Sequence, residues 1–186
     1  MSDYNWLNVN NFKKNDEYYT PKYIVEPIID FLKPNSTIWC PFDTKESEIV
    51  ITLKEKGFNV IYTHKEQGFD FFEKKVDCDY IISNPPFSLK LKILDRLYKL
   101  KTPFALLLPL TMLNYQEVGN FFLDKKLELL IFDKKVSFNG NTASFNTSYF
   151  CSNILPKDLM FYHLEHNNSG KHYVKPTKKY KELENE

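Results

Sequence analysis

Residues 80–87 read Tyr80-Ile81-Ile82-Ser83-Asn84-Pro85-Pro86-Phe87, and the step from apolar run to double proline organises everything around it. The run from Asp79 to Ser83 is short, apolar and partly β-branched, as expected of a strand buried on both faces. Two successive prolines offer no backbone donor and hold extended backbone, so the strand ends in a stiff corner. Ser88 is placed to cap a following helix over Leu89 to Leu100. The local unit is strand, corner, helix.

The same alternation continues on both sides. Downstream, Pro103 to Leu108 is wholly apolar, the mark of a central parallel strand. A helix near Tyr115 to Leu123 then leads to a strand over Glu128 to Phe132. Upstream, Thr20 reads as the N-cap and Pro21 as the first turn of a helix. Ile24, Ile28 and Leu32 continue that helix at helical spacing as far as Pro34. Thr37 to Phe42 suits a buried strand. Lys45 to Lys56 is helix-like, and Gly57 stands where a left-handed cap is wanted. Asn59 to Thr63 is a second strand. After a polar loop at 137–147, Ser148 to Asn153 and Leu159 to Leu164 read as two strands joined by a turn at Pro156-Lys157-Asp158.

This order predicts one α/β domain over residues 17–166, with a Rossmann-like, mostly parallel twisted sheet and a C-terminal antiparallel strand pair. A polar arm (1–16) precedes it and a polar, lysine-rich tail (167–186) follows. Ligands of such sheets sit beyond the carboxyl ends of the strands. Phe42, the region of His64, Asp70 and Asn84 all fall there.

Composition narrows the function classes. The 25 basic residues against 24 acidic ones leave a net charge of +1, so no general grip on a polyanion is built in and nucleic-acid contacts must be local. Cys40, Cys78 and Cys151 lack metal or disulfide spacing, which fits a reducing cytoplasm. The histidines show no ligand spacing with carboxylates or thiols, so no metal is expected. No apolar run approaches the roughly 20 residues that span a bilayer.

The corner itself carries chemistry. Asn84 offers a side-chain carbonyl and Pro85 a backbone carbonyl. Two acceptors side by side suit an amine with two N–H donors, and accepting both localises the nitrogen lone pair for attack on an electrophilic methyl group. Phe87 supplies a flat face for a base, and a base within a duplex has to be flipped out to reach it.

Asn84-Pro85-Pro86-Phe87 resembles the catalytic motif of the amino-methyltransferases, in particular the N6-adenine DNA methyltransferases, and the small size matches their phage-borne members. Tyr19-Thr20-Pro21 is similar to that family's N-terminal motif, which implies contact with the methionine end of S-adenosylmethionine. Asp70-Phe71 is similar to the family's pair in which the acid accepts from the cofactor's adenine amine and the neighbour packs on the ring. Pro41 and Phe42 match the first-strand motif. The chain departs from the pattern at Asp43-Thr44-Lys45-Glu46, where Thr44 and Glu46 replace two glycines: either Asp43 and Glu46 rebuild the cofactor loop differently, or affinity is poor, or the fold has lost catalysis. The acid expected after the second strand is missing, with Glu66 as a substitute.

The resemblance implies a Rossmann-like methyltransferase using S-adenosylmethionine on adenine N6 of DNA, with RNA as a near variant. Lys90, Asn139 and Asn141 are the further candidates for touching substrate. Two alternatives stand beside it: methylation of a protein glutamine amide, which tyrosine after the prolines would favour, and a catalytically degenerate fold acting as a binding or inhibitor protein. Oligomeric state and recognition sequence are left open.

Overall fold

The structure, a computed structural model, describes residues 20–138, 141–142 and 146–164, with backbone alone at 137–138 and 141–142. The polar arm and the tail lie outside the described residues. In chain order the elements are α1 (Lys22–Ile29), β1 (Thr37–Cys40), α2 (Glu48–Glu55), β2 (Asn59–Tyr62), β3 (Tyr80–Ser83), α3 (Lys90–Leu100) and β4 (Phe104–Pro109). They continue with α4 (Gln116–Phe122), β5 (Glu128–Phe132), β6 (Ser137–Phe138), β7 (Asn141–Thr142), β8 (Thr147–Ser152) and β9 (Leu159–Tyr162).

Seven strands form one sheet in the order β2-β1-β3-β4-β8-β5-β9, and β6 pairs with β7 separately. The pairings from β2 through β4 are parallel. From β1 the chain moves to β2 on one side and to β3 on the other, so the switch point lies between β1 and β3. Parallel sheets leave a crevice at such a point, outside the strand carboxyl ends.

Alternation along β3 explains why its sequence is apolar throughout. Ile82 packs with Ile24, Ile28, Ile49 and Leu53 of α1 and α2 on one face. Ile81 packs with Ile93, Leu94 and Leu97 of α3 on the other. Both isoleucines are fully buried, and each such side chain contributes roughly 1.5–3 kcal/mol. Truncating either to alanine inside this double-sided core would cost about 2–5 kcal/mol.

Local signals set most of the boundaries. Gly57 takes φ +87°, its N–H reaches the Lys54 carbonyl at 3.0 Å, and the Phe58 N–H reaches Leu53 at 3.1 Å. That pair of bonds is the Schellman closure of α2, and glycine adopts the left-handed angle without a Cβ penalty.

Two expected caps are not formed. Pro21, not Thr20, is the N-cap of α1, because the Thr20 hydroxyl is engaged with Asn84. Ser88 lies inside a 3-10 turn over Phe87–Leu89, which moves the cap of α3 to Leu89, with no side-chain bond.

The C-terminal strands run antiparallel to each other, as expected, but do not touch as a hairpin. β8 is antiparallel to both β4 and β5, while β9 lies parallel to β5 on its outer side. Burial dictates this choice. Every residue of β8 is buried, so the strand belongs in the middle, whereas β9 keeps Leu159 and Phe161 more than half exposed and suits an edge. Glu128 locks the arrangement, its buried carboxylate accepting from the backbone N–H groups of Asn153, Ile154 and Leu155 at 3.0, 2.9 and 2.8 Å.

Candidate active site

The loops after β1, β2 and β3, with the segment around Asp70, enclose a cleft of about 570 Å³ at the switch point. Pro41, Phe42 and Asp43 enter it after β1, His64 and Lys65 after β2, and Asn84, Pro86 and Leu89 after β3. Phe69 to Phe72 close another side, Thr20 reaches in from the start of α1, and Thr44, Glu46, Ser47 and Glu48 form the remaining wall.

The corner after β3 is held across the chain. Asn84 Nδ2 donates to Thr20 Oγ1 at 3.1 Å. Because an amide carries its donor and acceptor on opposite branches, anchoring the nitrogen turns Oδ1 the other way. Oδ1 is screened from solvent, so an incoming amine meets it only after neighbouring groups give way. Pro85 is buried behind the corner and Pro86 half-buried at its face.

The loop after β1 is pinned by side chains where two glycines were expected. Ser83 Oγ donates to the Asp43 carboxylate at 2.5 Å, and the Thr44 N–H donates to Ser47 Oγ at 3.0 Å. Ser47 is a second side-chain partner of Asp43. Among the described non-glycine residues, positive φ occurs at Asn35, Lys101 and Asn153. Thr44 and Glu46 therefore sit in backbone that any residue adopts, and glycine is not required there. The Glu46 side chain is 64% exposed and leaves the cleft open. Asp43 is 5% exposed, and this burial pushes its carboxyl up to about 6 against the opposing pull of the Ser83 and Ser47 hydroxyls.

An aromatic wall backs the cleft. The Phe71 ring lies 4.9 Å from Phe42 and 5.4 Å from Trp39, and Trp39 lies 5.9 Å from Phe69. Trp39 Nε1 donates to Thr63 Oγ1 at 2.9 Å, which satisfies the buried indole. Asp70 Oδ1 accepts the Phe72 N–H at 2.8 Å, and its other oxygen lies 3.7 Å from Lys65 Nζ. The cleft thus combines Asp43, Glu46, Glu48 and Asp70 with a single lysine, Lys65.

Thr20, Pro41, Phe42, Asp43, Asp70, Phe71, Asn84 and Pro86 are brought together on this cleft. Pro21 caps α1 away from the lining, and Phe87 is half-buried in the turn, packed against the core on the α3 side. Lys90 opens α3 outside the lining. Tyr19 and Asn139 lie outside the described residues, and Asn141 belongs to β7, in register with Phe138. Glu66 is 84% exposed and off the lining, where His64 and Lys65 stand instead. Lys65, Phe69, Phe72, Ser47, Glu48 and Leu89 also line the cleft, outside the motifs that the sequence singles out. The run Phe69-Asp70-Phe71-Phe72 held a usable signal, since aromatics on both sides of an acid mark a wall rather than a single contact.

No family model matches the sequence, and no curated protein matches it. Among solved structures, the chain is similar to a type I restriction-modification system methyltransferase subunit from Streptococcus thermophilus, with TM-score 0.58 and 11% identity. That match covers 90% of this chain and 52% of the other, so the chain spans about half of that protein's length. The fold is that of the Rossmann-like methyltransferases. Weaker matches are a candidate class I S-adenosylmethionine-dependent methyltransferase from Listeria monocytogenes (TM-score 0.46, 12% identity, 78% and 64% covered) and a protein-(glutamine-N5) methyltransferase from Alicyclobacillus acidocaldarius (0.39, 16%, 70% and 90%). At these scores neither adds to the fold assignment. The Asn84 corner after β3 and the Asp43 loop after β1 line one crevice, tied together by the bond between Ser83 and Asp43.

Proposed function

We propose that the chain is an S-adenosylmethionine-dependent methyltransferase acting on the exocyclic N6 amine of adenine in DNA. One observation carries this reading: Asn84, its amide nitrogen held by Thr20, stands on the wall of a cleft whose other residues suit a cationic nucleoside. A volume of about 570 Å³ lies within the range of roughly 300–1,000 Å³ usual for small-molecule sites. Four carboxylates against one lysine favour a ligand that carries positive charge. The Phe42 and Phe71 rings provide apolar surface beside them.

When bound, the donor supplies a methyl group activated by a positively charged sulfur. The chain's residues do the rest. Asp70 would accept from the donor's adenine amine, with Phe71 against its ring, while Thr20 and the Pro41–Asp43 loop hold the methionine end. Asn84 Oδ1 and the Pro85 carbonyl accept the two N–H groups of the target amine, which draws the nitrogen lone pair out of the ring and aims it into the cleft. An incoming amine reaches Oδ1 once the groups that screen it give way, and Phe87 is the ring on which a flipped base would stack. Lys90 and the loop bearing Asn139 and Asn141 are the candidates for contacting the nucleic acid.

Phenylalanine after the prolines supports adenine over a protein amide, and the open Asp43 loop supports a working site over a degenerate one. Purified protein incubated with labelled S-adenosylmethionine and separate DNA, RNA and protein samples tests this. Label is expected as N6-methyladenine in DNA, falling by on the order of 100-fold or more in Asn84→Ala. Label in RNA or protein alone would reassign the substrate. No label beyond the Asn84→Ala level in any sample would remove the catalytic reading.

A further inference from the structure

The two edges of the sheet are built differently. At β2, Val60 to Tyr62 are half-buried and Lys54 Nζ lies 4.7 Å over the Tyr62 ring. At β9, Leu159 and Phe161 are 51% and 54% exposed. Their register partners on β5, Leu129 and Ile131, are only half-buried. Neighbours in register share a face, so these four side chains form one apolar patch on the side that carries α3 and α4. The backbone is open there too. The Asp158 and Tyr162 carbonyls accept from Leu129 and Asp133 of the β5 side at 2.8 and 3.1 Å. Alternation therefore turns the N–H and C=O groups of Leu159 and Phe161 outward. Edges are normally guarded by charge, proline or a bulge, and Leu159-Met160-Phe161-Tyr162 has neither charge nor proline.

We propose that a second copy of this chain pairs antiparallel with β9 about a two-fold axis at Met160, running one seven-stranded sheet into the other. The alternation of the strand suits this axis. Leu159 and Phe161, whose backbone groups point outward, then face Phe161 and Leu159 of the second copy as hydrogen-bonded pairs. Each is also an aliphatic–aromatic contact on a shared face. Charge selects a second copy over an unrelated strand. The axis brings Lys157 opposite His163 of the second copy. Lys157 is exposed and forms no ion pair among the described residues, whereas Asp158 beside it is held by Lys126 at 3.6 Å. His163 is bound to Asp133, whose side chain is 35% exposed. The lysine of each copy thus meets the acid of the other, and two-fold symmetry makes every contact twice.

Sedimentation of the full chain tests the pairing. An interface this small is expected to hold a dimer at about 100 µM protein. Phe161→Glu changes a half-exposed side chain, so its thermal melt should match wild type. Its dimer dissociation constant is expected to rise by on the order of 100-fold, because two apolar pairs are lost at each seam. Met160→Cys reads the axis itself. Opposed residues that are not hydrogen-bonded to each other stand about 4.5 Å apart at Cα, within reach of a disulfide. Oxidised Met160→Cys is expected to run as a covalent dimer, and wild type, with Cys40 and Cys151 buried, is not. A wild-type chain that stays monomeric at that concentration would overturn the proposal. So would a dimer undiminished by Phe161→Glu, or one in which Met160→Cys fails to cross-link.

Discussion

The Thr20 hydroxyl accepts the Asn84 amide N–H at 3.1 Å across 64 positions of sequence, joining the start of α1 to the corner after β3. Thr20 is 6% exposed, so the bond is shielded and both side chains are held. A threonine that looks like a helix cap is instead a clamp on the amide that has to present its oxygen.

Replacing Thr20 with valine keeps the shape and deletes the clamp. Asn84 is then free to rotate its amide, and turnover is expected to fall by on the order of 10- to 100-fold, the scale of a misplaced reacting group. Thr20→Ser should restore most of the loss, since it returns the hydroxyl. Steady-state kinetics of the three proteins decide it. Unchanged turnover in Thr20→Val would show that the clamp does not position Asn84.

Asp43 predicts an unusual pH dependence. In the folded chain it keeps its proton up to about pH 6, against an ordinary 3.8 when unfolded. Between these values the folded state holds the extra proton. Stability from this group is therefore fully present below the lower value and lost as pH rises through the higher one. The gap corresponds to about 3 kcal/mol. Asp43→Asn removes the dependence, so urea melts should show the variant gaining on wild type by roughly that amount between pH 4 and pH 7. Parallel pH profiles for the two proteins would contradict it.

Glu128 acts in the opposite sense. Burial pushes its carboxyl up, but the N–H groups of Leu155 and Ile154, with Lys126, outweigh that and hold it below the usual value. Its contribution is present above the ordinary carboxylate range and is lost on acidification. Glu128→Ala strands three backbone donors, that of Leu155 buried and those of Asn153 and Ile154 partly so, and should cost on the order of 3 kcal/mol, with Glu128→Gln costing less. Denaturant midpoints of the pair measure it, and equal losses would mean that the negative charge adds nothing.

Tyr149 offers a gain. Its phenol is completely buried in β8, and among the described residues the oxygen has no hydrogen-bond partner. Tyr149→Phe removes an unanswered hydroxyl without changing the ring, so stability should hold or rise by up to about 1 kcal/mol. A clear loss in a thermal melt would reveal a partner for that oxygen.

The architecture was readable from sequence wherever the deciding physics is local. Apolar runs place β3 and β4, Gly57 closes α2, and the double proline ends β3, all within a few residues. The cleft was readable only in part. Asn84, Asp70 and Phe42 show themselves because they fall at strand ends, and Asp43 because it follows Pro41-Phe42. Lys65 carries no spacing signal and joins the site only through the sheet order. Thr20 and Ser88 read as caps because capping is the near option; the competing partner of Thr20 lies 64 positions away, outside any local window, and Ser88 is drawn into a 3-10 turn. The closing strands were readable as strands, yet nothing between Asn153 and Asp158 says that β5 will separate them.

The place of β8 has a consequence for how the chain is made. On the ribosome, β4 and β5 emerge first, and the edges they will share with β8 have no partner until residues 147–152 appear. The middle of the sheet is therefore finished almost last, from its far end backwards. Until then the nascent chain carries two open apolar borders, which are the natural targets for self-association and for chaperones.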